Sequence, residues 1–450
     1  MPANGIPYGH RIVAWAFSGL LLTGMAAAPA TAESTRDKQW FLTAMKAEGM
    51  WRTSKGEGVT VAVLDSGVDP NNADLKGRVL DGKDLAPDEQ GDEHTDYSGH
   101  GTGIAGLIAA TGAYGGHGAF GLAPGAKILP VRLPDPVKSF NGIGWSEKFN
   151  KVGPRAIRYA VDSGAKVISI SDAVPYDSPQ LTAAVDYALK KGSLIFAAVG
   201  NDGQDGNAVS YPAATPGVVG VGAIGKDLGV TKESATGSQV DMAAPGEDLI
   251  HACGGKTGLC KSHGTGDATA LASASAALIW ARHPAWTNNQ VLRVMLNTLG
   301  GPVDGAKRSD YIGYGIVRPR IALKSPGAPG PADRYPLTDY PVVQVTHYPT
   351  PKASQAAGGP VAAGQDGGSA PFWVGLGVAA AATIGAAIAV PVVRRRSSNR
   401  RRPDAQHPAL APAQMRQQTY PSQPSHTYVS SPGFGPPPPN HVPGPQSGDG

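Results

Sequence analysis

Three short segments of this chain hold residues whose types and spacing could do acyl-transfer chemistry. Asp65 closes the apolar run Val61-Ala62-Val63-Leu64 and is followed by Ser66-Gly67. His100 opens His100-Gly101-Thr102-Gly103, and a second histidine opens His263-Gly264-Thr265-Gly266. A carboxylate that orients an imidazole, which takes a proton from a nucleophile, is the general arrangement of Ser-His-Asp hydrolysis. A carboxylate ending a buried strand stands where an open parallel sheet displays its reactive groups; taken alone, Asp65 is as readily a turn aspartate. A lone histidine is more often structural than catalytic, but His-Gly-Thr-Gly downstream of Asp-Ser-Gly is a much rarer coincidence. The third segment ends on Gly266, which has no side chain to attack a carbonyl.

Such residues need a rigid frame, and the pattern around them predicts one. Val59 to Leu64, Lys127 to Val131, Val167 to Ser171, Leu194 to Ala198 and Val218 to Ala223 read as buried strands. Between them lie helix signals: Ser178-Pro179 as cap and first-turn proline, Lys190-Lys191-Gly192 as a basic last turn closed by glycine, and Thr287 with Gln290 as a capping box. His100 begins a small-residue helix that admits close neighbours. Strands alternating with helices predict an α/β fold with a parallel sheet covered by helices on both faces.

The ends of the chain read differently. His10 and Arg11 precede an apolar stretch, and Ala30-Thr31-Ala32 has the form of a cleavage site, so residues 1–32 read as a signal peptide. The globular domain is expected over 33–324, followed by a Pro/Gly/Ala-rich linker over 325–371. Residues 372–393 carry no charge and are long enough to cross a bilayer as one helix. The arginines at 394–396 and 400–402 place that end inside the cell and the globular domain outside. The Pro-rich remainder, to 450, is expected not to fold by itself. The formal net charge is +4, and those arginines more than account for it, so no basic surface for nucleic acid is implied. The two cysteines, Cys253 and Cys260, would pair in an oxidising compartment; two free thiols in a loop is the alternative. Asp92, Glu93, His94 and Asp96 could hold a structural calcium, although a solvated acidic loop is the commoner meaning. No zinc-ligand spacing or phosphate-binding loop occurs, and no cofactor is called for.

The Asp65, His100 and Gly264-Thr265-Gly266 segments, in that order, resemble the subtilisin-like serine peptidases (peptidase S8). The signal, linker, single span and cytoplasmic arginines resemble the layout of the mycosins, membrane-anchored proteases associated with type VII secretion. The resemblance implies several roles. Ala197-Ala198-Val199-Gly200-Asn201 is similar to the oxyanion segment, so Asn201 would donate to a developing oxyanion. Ser171, Ala198 and Gly200 would line bound peptide. Tyr211-Pro212-Ala213 and Asp241 to Gly246 resemble two further signatures. Two departures stand out. Asp172-Ala173 replaces the usual Leu-Gly, and the nucleophile serine position is Gly266, with Ala270 where a proline is usual.

Other serines are poorly placed to substitute. Ser262 precedes the turn, and Ser273 and Ser275 lie about two turns along the following helix, with Ser273 roughly 10 Å from Gly266 along the axis. Two functions are therefore expected to compete. One is a pseudoprotease that keeps a peptide groove and docks with a client polypeptide or secretion complex. The other is an active serine endopeptidase processing exported proteins, if position 266 is a sequence error or another nucleophile serves.

Overall fold

The computed structural model describes residues 33–136, 142–254 and 258–340. The chain divides into units 1–353 and 354–450, and every described residue lies in the first. The expected signal peptide (1–32), membrane helix (372–393) and basic tail (394–450) fall outside the described residues. Among the described residues, no helix is long and apolar enough to cross a membrane.

Among the described residues nine strands form: β1 (Thr60–Asp65), β2 (Lys83–Asp84), β3 (Lys127–Arg132), β4 (Val167–Ile170), β5 (Leu194–Ala198), β6 (Val219–Ile224), β7 (Met242–Pro245), β8 (Leu249–Ala252) and β9 (Leu259–Ser262). The helices are α1 (Thr35–Lys38), α2 (Trp40–Met45), α3 (Ala47–Trp51), α4 (His100–Ala109), α5 (Gly142–Asp162), α6 (Pro179–Lys190), α7 (Thr265–Arg282), α8 (Asn288–Asn297) and α9 (Pro319–Lys324). Seven strands make one sheet in the order β2-β3-β1-β4-β5-β6-β7, every neighbouring pair parallel. The continuous apolar runs of β1, β4, β5 and β6 follow from burial on both faces. The expected α/β architecture with a parallel sheet is thus the observed one.

Helix ends follow local chemistry. Ser178 Oγ accepts from Leu181 N at the start of α6, and Thr287 and Gln290 cap α8 reciprocally. Apart from Asp267 and Leu271, helix α7 carries only Ala, Thr, Ser and Gly from Thr265 to Ala277, and Thr265 to Trp280 are all buried. Its lack of bulk lets it pass close behind β4, β5, β6 and β7. On α4 a Cβ at Gly103 would stand 2.7 Å from His251 Cε1, and one at Gly106 2.4 Å from the Ala252 carbonyl oxygen. At Gly106, where the neighbour is backbone, only glycine permits that approach to β8. The β8–β9 hairpin is antiparallel, and a Cys253–Cys260 disulfide joins its two arms.

The packed body extends beyond residue 324 into the expected linker. Arg293 Nη1 donates to the carbonyls of Pro329 and Pro331. Tyr335 and Leu337 are buried, and Tyr335 Oη donates to Gly217 O at 2.6 Å. The segment has no helix or strand period because its backbone is tied down by side chains of α8 and by a few aromatic anchors, not by a ladder.

Candidate active site

Asp65 is the last residue of β1, whose neighbours β3 and β4 are wound to opposite sides. Such a reversal opens a crevice at the carboxyl ends of the strands. Ser171 follows the end of β4, Ala198 ends β5, and Gly200 and Asn201 lie just beyond. Gly200 has φ +106°, which turns the chain across the crevice.

His100 enters the crevice from the first residue of α4. Its Nδ1 donates to Asp65, at 2.8 Å from Oδ1 and 3.0 Å from Oδ2. Asp65 is buried, and Ser66 N donates to the same Oδ1 at 2.8 Å. The helix is aimed by Asp96. Its Oδ1 accepts from Gly99 N and from Ser66 Oγ, and its Oδ2 accepts from Thr102 N. Asp96 therefore caps the free amides at the start of α4 and ties them to the turn after β1.

Asn201 is held by the turn into α7. Its Oδ1 accepts from Thr265 N and Thr265 Oγ1, both at 2.9 Å, so its Nδ2 amide is left to donate elsewhere. A Cβ at Gly264 would meet that Nδ2 at 2.9 Å, and Gly264 has φ +127°. Gly266 follows in the first turn of α7. A Cβ there would stand 3.8 Å from His100 Nε2, 3.2 Å from Ser171 Cβ and 3.6 Å from Ser171 Oγ. The structure thus gathers Asp65, His100, Asn201, Ser171 and Gly266 at one place, and the point facing the imidazole is a glycine. His100 Nε2 has no hydrogen-bond partner among the described residues. His263 is not part of this group; its Nδ1 lies 3.2 Å from Glu233, at the surface. Ser273 and Ser275 are buried within α7, and Ser275 Oγ donates back to Leu271 O.

Three carboxylates set the charge on His100. Asp65, with smaller contributions from Asp172 and Asp267, pushes the imidazole up to about 10 against the effect of its own burial. Burial would raise Asp65, but His100 and the Ser66 bonds hold its carboxyl below the usual range. Asp172, one residue beyond Ser171, is pushed up to about 7 by burial and by Asp65.

Asp267 turns away from His100 into a second network. Ser262 Oγ bonds Asp267 Oδ2 and lies 2.7 Å from His251 Nε2, while His251 Nδ1 donates to Ala252 O. Burial raises Asp267 and lowers His251.

The acidic stretch 92–96 serves as turn and cap. Asp92 Oδ1 accepts from His94 N and Thr95 Oγ1. Among the described residues no three of His, Cys, Asp or Glu gather as a metal-holding group.

The subtilase family (peptidase S8) matches residues 56–315. The chain belongs to that family. It is 38% identical over 213 residues to the major intracellular serine protease of Bacillus subtilis (strain 168), an alignment spanning 46% of this chain and 64% of that protein. Among solved structures it is similar to MycP1 from Mycobacterium smegmatis, with TM-score 0.57 and 28% identity over 70% of this chain and 91% of that one. It is also similar to a chain in the periplasmic assembly of the ESX-5 inner membrane complex, with TM-score 0.58 and 27% identity over 70% of this chain and 90% of that one. Mycosins are therefore structural neighbours of this subtilase.

Sequence reasoning passed over Asp96, Asp267 and His251. Asp96 was visible only as one of several acidic residues, although its place four residues before a histidine that opens a helix is a capping signal. Asp267 and His251 meet through a hairpin whose pairing no local pattern announces.

Proposed function

We propose that this subtilase is a peptide-binding pseudoprotease, anchored in the cell membrane by 372–393 with the 33–340 body outside and the basic tail in the cytoplasm. One observation carries the reading. The position 3.8 Å from His100 Nε2, where a nucleophile's Cβ would be, belongs to Gly266. In subtilisin, loss of the nucleophile lowers turnover roughly a millionfold, on the order of 8 kcal/mol. Groups that orient a proton acceptor and stabilise an oxyanion leave only weak hydrolysis, about a thousandfold above water. Peptide binding does not need the hydroxyl, because the groove is made of backbone edges and pocket walls.

A role beside a secretion complex is supported by two of the similarities. One similar chain is part of an ESX-5 periplasmic assembly, and another similar structure is that of MycP1 from the ESX-1 type VII secretion system. On this reading the client is an exported polypeptide or a component of such a complex.

One feature favours the alternative, an active endopeptidase: Ser262 Oγ lies 2.7 Å from His251 Nε2, a hydroxyl beside an imidazole. His251 is buried, however, and Ser262 is also engaged by Asp267. A fluorophosphonate probe separates the readings. The pseudoprotease reading expects no covalent labelling of the purified full-length chain. Labelling at any serine that is lost on heat denaturation contradicts it, and labelling abolished by Ser262→Ala would identify that hydroxyl as a nucleophile.

A further inference from the structure

A groove of about 970 Å³ lies between α5 and α6, and none of its lining residues belongs to the site around Gly266. One wall is a face of α5. Lys151, Arg155 and Arg158 recur along it at helical spacing, over about 10 Å of the axis, and all three are exposed. The other wall is Tyr176, which is 59% exposed, with Gln180 and Ala183 of α6. The two walls are tied together. Asn150 Nδ2 donates to Tyr176 O at 3.1 Å, and Arg158 Nη2 donates to Ala183 O at 3.3 Å. The Arg158 guanidinium also lies over the Tyr187 ring, 4.7 Å from its centre. The groove is therefore preformed.

Its charge is lopsided. Against three cations the lining holds one carboxylate, Glu147. Asp177, beside the groove, is turned into the start of α6, where it accepts from Ser178 N and Thr182 Oγ1. Asp162, one turn beyond Arg158, accepts from Tyr187 Oη. Lys151 and Arg155 have no ion-pair partner among the described residues, and Arg158 is engaged by a carbonyl and a ring, which leave its charge in place.

We propose that this groove docks an acidic segment of a second polypeptide, whose carboxylates meet Lys151, Arg155 and Arg158 while an apolar side chain lies on Tyr176 and Ala183. Spacing fits such a ligand. Alternate side chains of an extended chain stand about 6.6 Å apart, close to the step of about 6 Å from Lys151 to Arg155 along the helix. Arginine adds a planar fork that takes a carboxylate through two bonds. A bilayer surface is flat, whereas these cations line one side of a concavity whose other side is aromatic. The chain cannot supply the segment from outside the described residues, where its only carboxylic side chains are the isolated Asp366, Asp404 and Asp449. Nor does a second copy offer a ready donor, because Asp92 and Asp96 of the acidic stretch are held as turn and cap. The inference is independent of the peptide-binding reading of the crevice.

The test uses fluorescence anisotropy and the full-length chain in nonionic detergent micelles. The probe is fluorescein-labelled Gly-Glu-Ala-Glu-Tyr-Glu-Ala-Glu amide, compared with the same peptide carrying Gln for every Glu. Several charge-assisted contacts should favour the Glu probe by roughly tenfold or more. Lys151→Glu/Arg155→Glu, at two exposed positions, should abolish that preference. Lys226→Glu/Lys232→Glu, exposed residues outside the groove with the same change in net charge, should preserve it. Equal binding of the two probes by the wild type overturns the proposal, and so does an equal loss in both double variants. Displacement of the probe by glycerol phosphate at the concentration that unlabelled peptide requires would show a phosphate site and overturn the polypeptide assignment. Self-association of the wild type that Lys151→Glu/Arg155→Glu removes would give the groove to a second copy and overturn it too. Each of these failures leaves the crevice reading standing.

Discussion

Asp65 Oδ1 and His100 Nδ1 stand 2.8 Å apart across the ends of β1 and α4, and the far side of that imidazole faces the backbone of Gly266. The chain has kept the demanding half of a hydrolytic site, a buried carboxylate aligned with a ring on a separate element, and lacks the simplest part. The orientation depends on structure well outside the crevice, so it can be tested there.

The first test concerns Asp96, which accepts from Gly99 N, Thr102 N and Ser66 Oγ. Asp96→Ala should destabilise the domain by about 1–2 kcal/mol, the upper part of the range for a lost helix cap. Thermal unfolding of the variant measures it. An unchanged midpoint would mean that α4 is positioned by packing alone.

The close approach of α4 to β8 gives an ordered pair of expectations. Gly103→Ala meets the edge of the His251 ring, whereas Gly106→Ala meets the Ala252 carbonyl. A side chain can yield where backbone cannot, so Gly106→Ala should cost more, with Gly103→Ala near the usual overpacking range of about 1–3 kcal/mol. Chemical denaturation midpoints of the two variants decide the order.

His100 should keep its proton through neutral pH. Its folded value is raised to about 10, chiefly by Asp65, above an ordinary histidine value of about 6.5. The stabilisation from the raised value is therefore fully present below about pH 6.5 and is lost as pH rises through about 10. Nitrogen-detected NMR of the labelled imidazole should find both ring nitrogens protonated at pH 7.5. A neutral ring at that pH would remove the charge on which the site's electrostatics depend.

The sequence made some parts of this arrangement readable and hid others for physical reasons. Buried strands such as Leu194–Ala198 were plain because a sheet covered on both faces demands unbroken apolar runs. The caps at Ser178 and Thr287 were plain because capping is local. Strand β7, Met242–Pro245, is alanine-rich and ends on proline, so it carries little strand signal; it is completed by pairing to β6 and by Val317 N donating to Ala243 O. The two-residue β2 is too short for any period. The strap through Tyr335 and Leu337 looked like linker, since its proline content masks anchors that only the folded surface reveals. At the site, Asp65, His100 and Asn201 were legible by type and order, whereas the Ser262 link between Asp267 and His251 depends on a hairpin contact.

The central claim is that a missing hydroxyl at position 266, and little else, separates this chain from a peptidase. Gly266 lies in helical backbone with no positive φ, and its nearest neighbour to a new Cβ is 3.2 Å away, so serine fits with a shift of a few tenths of an ångström. The direct measurement is hydrolysis of a fluorogenic peptide pool by the wild type and by Gly266→Ser, between about pH 7 and 10. The account predicts no wild-type turnover above the level of His100→Ala, and in Gly266→Ser a gain of at least a hundredfold that grows as His100 loses its proton. Wild-type turnover that Gly266→Ser does not raise, or a folded Gly266→Ser protein that remains inactive across that range, would contradict it.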